Sequence, residues 1–259
     1  MKIGVQTFTI RKAQKKDMEK AYLPLFEMGI KHLELGRMEW TEANALKIRK
    51  LMGQYPFDVT SIQVKPKHVF HHQEDVIKFC QLVGCTNVVI SMLPFRCILG
   101  SEKKFYEFVE ILDSTFDEYK KHGIDLAYHH HDWEYITLSN GHTRMEELLT
   151  RTNRIYFVHD SYWTTKCGME SWKQVQQFGS HLMGIHLRDL SLVKKGLKVL
   201  AKDAAVGTGI VDFERLFIEA ENVGCRYAVI EQKTKQPYED IKISYHNIMR
   251  LLKNKGVTL

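Results

Sequence analysis

Eight short apolar, β-branched runs recur along this chain, separated by amphipathic stretches. The runs are Ile3–Phe8, His32–Gly36, Asp58–Lys65, Asn87–Ser91, Asp125–His131, Ile155–Tyr162, Met183–Asp189 and Tyr227–Gln232. Helical periodicity fills the gaps over Lys15–Met28, Glu42–Gln54, Glu74–Val83, Ser101–His122 and Phe213–Val223. Within Ser101–His122, Phe105, Phe108, Val109, Leu112 and Phe116 fall on one face at i, i+3, i+4 spacing. Glycine follows several helices just before the next strand, at Gly29, Gly84, Gly123 and Gly224. A glycine there can adopt the left-handed conformation that halts a helix and turns the chain. The same punctuation before successive strands predicts one repeated βα unit, hence a parallel sheet with helices outside. Eight such units in 259 residues predict an α/β fold of the closed (β/α)8 type, a TIM barrel forming a single domain over residues 1–259. The long stretch Leu190–Thr208, between the seventh strand and its helix, reads as an irregular βα loop.

Composition narrows the function classes. The net charge is +6, but Lys and Arg are scattered over polar helix positions rather than gathered into a stripe, which argues against a nucleic-acid partner. Two short clusters, Arg11-Lys12 with Lys15-Lys16 and Lys194-Lys195 with Lys198, read as solvated surface, with an anionic sugar phosphate as the functional alternative. The five cysteines contain no C-x-x-C, so a disulfide framework or zinc ribbon is not expected and a reducing, cytoplasmic location is. The amino-terminal segment has no apolar core of a signal peptide, and no apolar run approaches membrane-spanning length. A membrane partner is therefore not expected.

Active sites of such barrels gather at the carboxyl ends of the strands. Ionisable residues there are Glu34 on strand 2, His129-His130-His131-Asp132-Trp133-Glu134 on strand 5, His159-Asp160 on strand 6, His186, Arg188 and Asp189 on strand 7, and Glu231 on strand 8. Side chains alternate along a strand, so His129 and His131 share a face, His186 and Arg188 share a face, and Asp160 faces opposite to His159. Imidazoles and carboxylates converging on one rim make a mixed N/O site suited to Mn, Zn, Mg or Fe. The bland alternative is an ordinary buried hydrogen-bonded network.

At these residues the chain resembles the xylose isomerase-like barrels, specifically the sugar phosphate isomerase/epimerase family. The resemblance is carried by GIKHLELG, LAYHHHDWEY, FVHDSYW, GIHLRDL, AVGTGIVDF and YAVIEQ, in that order over nearly the whole chain. It implies a divalent metal held by Asp160, His186 and Glu231. The family's fourth ligand, a strand-5 glutamate, is replaced by His129, so the implied metal set is His129, Asp160, His186 and Glu231, the alternative being a non-ligating His129 and a weak or empty site. The resemblance also implies proton transfer beside a metal-polarised carbonyl, with Glu231, His131 and His129 as the acid–base candidates. Loss of one carboxylate from a symmetric two-base arrangement opens a second reaction, dehydration or elimination beside a ketone.

Other residues keep two readings each. Glu34 could bond sugar hydroxyls or pair with Arg37. Trp133 and Trp163 could wall a sugar ring or pack at the rim. Arg188 could clamp a phosphate or carboxylate, or pair with Asp160 or Asp189. Gln63 and Lys65 could point inward, with Lys65 alternatively ending its strand before Pro66. The glycines of Val206-Gly207-Thr208-Gly209 read as a tight turn, with a phosphate cradle as the weaker alternative. His68, His71 and His72 read as a solvated loop rather than a second metal cluster. The runs Met38-Glu39-Trp40 and Phe95–Leu99 could form a lid or a homodimer contact. The expected partner is a small carbohydrate. A metal-free sugar-binding barrel and an apurinic-site endonuclease are the competing classes. The second needs more metal ligands and a basic groove tracking phosphates.

Overall fold

The computed structural model describes residues 1–196 and 198–254. Ten strands are present among the described residues: β1 (Lys2–Gln6), β2 (His32–Gly36), β3 (Asp58–Val64), β4 (Asn87–Ile90), β5 (Asp125–His129), β6 (Tyr156–Asp160), β7 (Leu182–Leu187), β8 (Asp189–Lys195), β9 (Lys198–Ala204) and β10 (Tyr227–Ile230). Eight of them close a parallel barrel in the order β1-β10-β7-β6-β5-β4-β3-β2. Closure rests on β1 beside β10, with Lys2 opposite Tyr227 and Val5 opposite Ile230. These eight match the eight apolar runs of the sequence, trimmed by one or two residues at every carboxyl end but that of β2. Polar residues at the run ends, such as His131 and Gln232, have left the ladder.

The helix predicted over Ser101–His122 is two helices, Glu102–Glu110 and Leu112–Lys120. Ile111 separates them, and its carbonyl accepts the hydroxyls of Ser114 and Thr115. The capping glycines Gly29, Gly84, Gly123 and Gly224 all have positive φ, between 68° and 81°, as the repeated βα unit requires. The predicted irregular loop after β7 is instead the antiparallel hairpin β8–β9, paired from Asp189 opposite Ala204 to Lys195 opposite Lys198. Full burial is confined to the base of the hairpin, at the consecutive residues Asp189 and Leu190. The rest is largely exposed, so the sequence carries little of the usual strand patterning there. Trp40 is buried against Phe79 at 5.1 Å and belongs to the core rather than to a lid. Phe95 and Leu99 are exposed.

Two apolar layers follow from strand alternation. Residues such as Val88, Ile90, Leu126, Ala228 and Ile230 face the helices. Val89, Ala127, Val158, Tyr227 and Val229 form a separate cluster with Met183 inside the barrel. Two residues further along the same strands stand Ser91, His129, Asp160 and Glu231, which places a polar layer directly above the apolar one. Irregularities of register between Leu33 and Glu34 and between Phe157 and Val158 lie next to that layer. Bulges of this kind re-aim side chains near functional rims.

Gly184 on β7 is the gap that lets Tyr227 fill the barrel interior. A Cβ there would lie 2.4 Å from the Tyr227 ring carbon Cζ. Gly184→Ala should therefore destabilise the protein by about 1–3 kcal/mol through overpacking, measured by urea denaturation followed by circular dichroism. A cost near zero would mean that Tyr227 does not need that space.

Candidate active site

The barrel interior ends in a chain of buried acids and bases. His186 on β7 lies between two carboxylates, with Nε2 2.7 Å from Glu34 Oε1 and Nδ1 3.0 Å from Glu231 Oε2. Glu34 is itself held on its other oxygen by Ser61 Oγ at 2.5 Å and the Tyr227 hydroxyl at 3.0 Å. It is thus fully engaged inside the barrel, and its pairing partner is His186 rather than Arg37. Burial opposes a charged imidazole, but Glu34 and Glu231 outweigh it and push the His186 pKa up to about 10. Burial would likewise raise the Glu231 carboxyl, yet His186 and Arg188 hold it down to about 2.

His129 packs against His186, with ring centres 4.4 Å apart. Its Nδ1 is 3.3 Å from the Ser91 carbonyl and its Nε2 is 3.4 Å from Asp160 Oδ2. Ligand atoms of His129, His186 and Glu231 all lie within 4.8 Å of one another. Asp160 is not drawn into that cluster. Its Oδ1 caps the helix Ser161–Lys166 by accepting from Tyr162 N and Trp163 N, and its Oδ2 accepts from Arg188 at 3.1 Å.

Arg188 is buried between three acids. It meets Asp160 at 3.1 Å, Asp203 of the hairpin at 3.0 Å and Glu231 at 3.6 Å. Burial disfavours its charge, but these acids raise the guanidinium pKa above its ordinary value. Of the alternatives in the sequence, the pairing with Asp160 is the one observed. Asp203 was invisible to sequence reasoning because a hairpin, not a loop, brings it there. Asp189 serves elsewhere, accepting the backbone N–H groups of Gly207, Gly209 and Val211. The glycine turn therefore cradles a carboxylate of this chain, and a Cβ on Gly209 would sit 2.3 Å from Asp189 Oδ1.

An aromatic wall flanks the centre. His131 stacks on Trp133 with ring centres 5.5 Å apart and lies 5.3 Å from Trp163. The His131 backbone N–H donates to Glu134 Oε2 at 2.7 Å, and the Tyr128 hydroxyl donates to the other oxygen of Glu134. Burial, and then the neighbouring His129, hold His131 well below its ordinary pKa, so it is neutral. His130 and His159 turn away from the centre. His130 Nε2 accepts the Asp160 backbone N–H at 3.0 Å and lies 3.3 Å from His159 Nδ1, which steadies the backbone of β6. Gln63 pairs with Gln6 at 2.9 Å, whereas Lys65 is exposed and precedes the helix Pro66–His71. His68 and His72 lie near one another, with ring centres 5.2 Å apart, and take no part in the centre.

Six buried side-chain nitrogen or oxygen atoms lack a hydrogen-bond partner among the described residues, and five cluster here: His131 Nδ1, Trp163 Nε1, His186 Nδ1, Arg188 Nε and Glu231 Oε2. The sixth is Arg144 Nε. His186 Nδ1 and Glu231 Oε2 are close enough to attract, but they are not aligned for a hydrogen bond. Buried polar atoms are otherwise nearly always paired, so the barrel mouth is a concentration of unused bonding capacity.

The chain belongs to the xylose isomerase-like TIM barrel family, whose model matches residues 24–253. A sugar phosphate isomerase/epimerase from Parabacteroides distasonis ATCC 8503 is similar at 17% identity and TM-score 0.78, covering 95% of this chain and 93% of that one. The probable 3-DHS dehydratase AsbF from Bacillus anthracis is similar at 13% identity and TM-score 0.71, covering 96% and 99%. A xylose isomerase-like TIM barrel protein from Mycobacterium smegmatis, solved in complex with magnesium, is similar at 11% identity and TM-score 0.73, covering 99% and 98%. At these identities the likeness is one of fold. No curated protein matches this chain. No helix among the described residues is long and apolar enough to cross a membrane.

Two outcomes follow from the charge layout. Arg188→Met strips the buried Asp160 carboxylate of its guanidinium, leaving it the helix amides and His129, and should cost about 3–5 kcal/mol of stability, read from urea unfolding. A loss within the range of surface substitutions would contradict the pairing. A raised His186 pKa stabilises the fold fully below the unfolded value of about 6.5, and that contribution is lost as pH rises toward about 10. Metal-stripped protein should lose thermal stability across this window, and Glu34→Gln, which removes one of the charges facing His186, should flatten the slope of Tm against pH. An unchanged slope would show that Glu34 does not hold that proton.

Proposed function

We propose that this chain is a metal-dependent isomerase or epimerase of a small sugar, keto-sugar or cyclitol. The single observation that carries the reading is the set of five unpartnered buried polar atoms at the barrel mouth, walled by Trp133 and Trp163. A polyhydroxylated ligand and a cation together would satisfy such a set.

A divalent metal fits the donors present. His186 Nδ1 and Glu231 Oε2 are buried without hydrogen-bond partners, and they cluster with His129. Two imidazoles and a carboxylate suit Zn, Mn or Fe better than Mg, which prefers oxygen ligands. His129, His186 and Glu231 would hold the metal, and Asp160 would join them only by releasing Arg188. When bound, the metal supplies Lewis-acid polarisation of a substrate carbonyl. Glu34 orients the His186 ring from behind, as a carboxylate behind a ligating histidine does.

His131 is the acid–base group nearest this cluster without a protein bond on its ring. It is neutral, with Nδ1 free to take a proton from a carbon beside the carbonyl and to return it. Glu134 fixes its backbone and Trp133 fixes the plane of its ring. Trp163 Nε1 and Arg188 Nε are donors available to sugar oxygens. Glu231, kept ionised, is the one carboxylate at the mouth, among the described residues, with a buried oxygen that accepts no hydrogen bond. This pairing of one imidazole with one carboxylate is asymmetric, and it favours a second reading, dehydration of a keto-sugar or inosose-like substrate, in which one group removes the proton and another protonates the departing hydroxyl.

Metal analysis of protein purified without chelator, followed by incubation with keto-sugars and inososes in deuterated water, tests both readings. About one equivalent of metal and deuterium at the carbon beside the carbonyl are expected, with exchange reduced at least about 100-fold by His131→Phe. Recovery of deuterated epimer supports the isomerase, and an unsaturated or deoxy product supports the dehydratase. Negligible metal, with no exchange after Mn2+ is added, would overturn both in favour of a binding protein.

A further inference from the structure

Two arginines at the barrel mouth are not used by the centre described above. Phe8, just beyond β1, has the Arg11 guanidinium 4.0 Å from its ring centre and that of Arg37 at 5.2 Å. Arg11 is tied in place by donating to the Phe8 carbonyl at 2.8 Å. Arg37 is held differently. Its φ is 57°, and it is the one non-glycine residue with positive φ among those described. A long side chain rarely takes that conformation, and the strain persists only where the surroundings impose it. Thr7 imposes it by accepting from Gly36 N at 2.8 Å and donating to Gly36 O at 3.1 Å, and Gln14 Nε2 donates to Gly36 O at 2.9 Å.

The chain thus maintains strained backbone to bring a second cation to a ring that already carries one. Among the described residues the contacts of the two guanidinium groups are with the Phe8 ring and carbonyl, and neither forms an ion pair with a carboxylate. Burial and then the charge of Arg37 lower the Arg11 pKa, while Glu231 acts in the opposite sense, so Arg11 lies within the field of the centre. A guanidinium resting on an aromatic face keeps its N–H edges free. Two such edges match an oxyanion, which would also relieve their mutual repulsion. Arg37 further lines a cleft of about 830 Å³ in which Lys15, Lys16, Lys47, Lys50 and Lys65 outnumber the carboxylates Asp17, Glu19 and Glu39, and the net positive field draws anions toward the mouth.

We propose that Arg11 and Arg37 form an anion clamp over Phe8, taking the carboxylate or phosphate of a substrate whose carbonyl end lies at His129, His186 and Glu231. The inference rests on the catalytic reading above and narrows its substrate class to acidic or phosphorylated sugars.

Calorimetric titration of metal-stripped protein with inorganic phosphate, and separately with acetate, at constant ionic strength tests the clamp without turnover. Saturable one-site binding of at least one anion is expected, weakened about tenfold by Arg11→Gln or Arg37→Gln and abolished by the double change. Tighter binding of phosphate assigns a phosphorylated substrate, and tighter binding of acetate a carboxylate. Arg37→Gly should weaken the anion while leaving Tm unchanged or higher, because glycine accepts positive φ. A purely structural Arg37 would lower Tm and leave anion affinity alone. Anion affinity unmoved by the double change, or no binding of either anion, overturns the clamp. Loss of metal binding by His129→Ala with phosphate affinity intact would bear on the catalytic reading alone.

Discussion

The placing of His186 between Glu34 and Glu231 is the constraint around which the barrel interior is organised. Charges taken out of water are costly unless they are paired and hydrogen-bonded. Here each member of the chain comes from a different strand: Glu34 from β2, His186 from β7, and Glu231 from the end of β10. His186 and Glu231 sit on neighbouring strands, whereas Glu34, whose strand is separated from β7 by β1 and β10, reaches His186 across the interior of the closed barrel. Ser61 and Tyr227 complete the bonding of Glu34, and Gly184 leaves room for Tyr227. The polar layer and the apolar layer beneath it therefore specify one another.

Arg188 extends the same logic outward. Its guanidinium joins Asp160 at the floor to Asp203 on the hairpin, so the β8–β9 excursion is tied to the barrel mouth by a buried ion pair. Asp160 in turn uses its other oxygen to start the helix Ser161–Lys166. Its two oxygens thus carry structural duties that a family-type metal ligand would have to share. This gives His129 a physical role: with Asp160 committed to Arg188, the strand-5 imidazole supplies the third member of the cluster with His186 and Glu231.

The mouth divides into two chemical zones. One, formed by His131, Trp133 and Trp163, offers an aromatic wall with unpartnered ring nitrogens and suits the flat faces and hydroxyls of a carbohydrate. The other, at Phe8, Arg11 and Arg37, brings two guanidinium groups onto one ring with no carboxylate in ion-pair contact among the described residues. A bipolar small molecule, with a carbonyl at one end and an acidic group at the other, matches both.

Much of the architecture was legible in local patterns. Eight apolar runs, recurrent capping glycines and helical periodicity suffice for a βα repeat, because hydrophobic period and glycine's access to positive φ are properties of short segments. The strand-end residues His129, Asp160, His186 and Glu231 were legible too, since alternation along a strand says which residues share a face. What the sequence by itself determined was this list of elements and of inward-facing groups. Which of those groups would pair was decided only by tertiary structure, because a partner's distance depends on closure, register and bulges between strands far apart in the chain. Glu34 meets His186 across the barrel instead of Arg37 three residues away. Arg188 finds Asp203 through a hairpin whose exposed strands carry little periodic signal. The Gly207–Gly209 turn spends its amides on Asp189. The barrel was encoded locally, whereas the charge chain at its mouth came into being when the ring closed and each buried ion had to find a counter-charge.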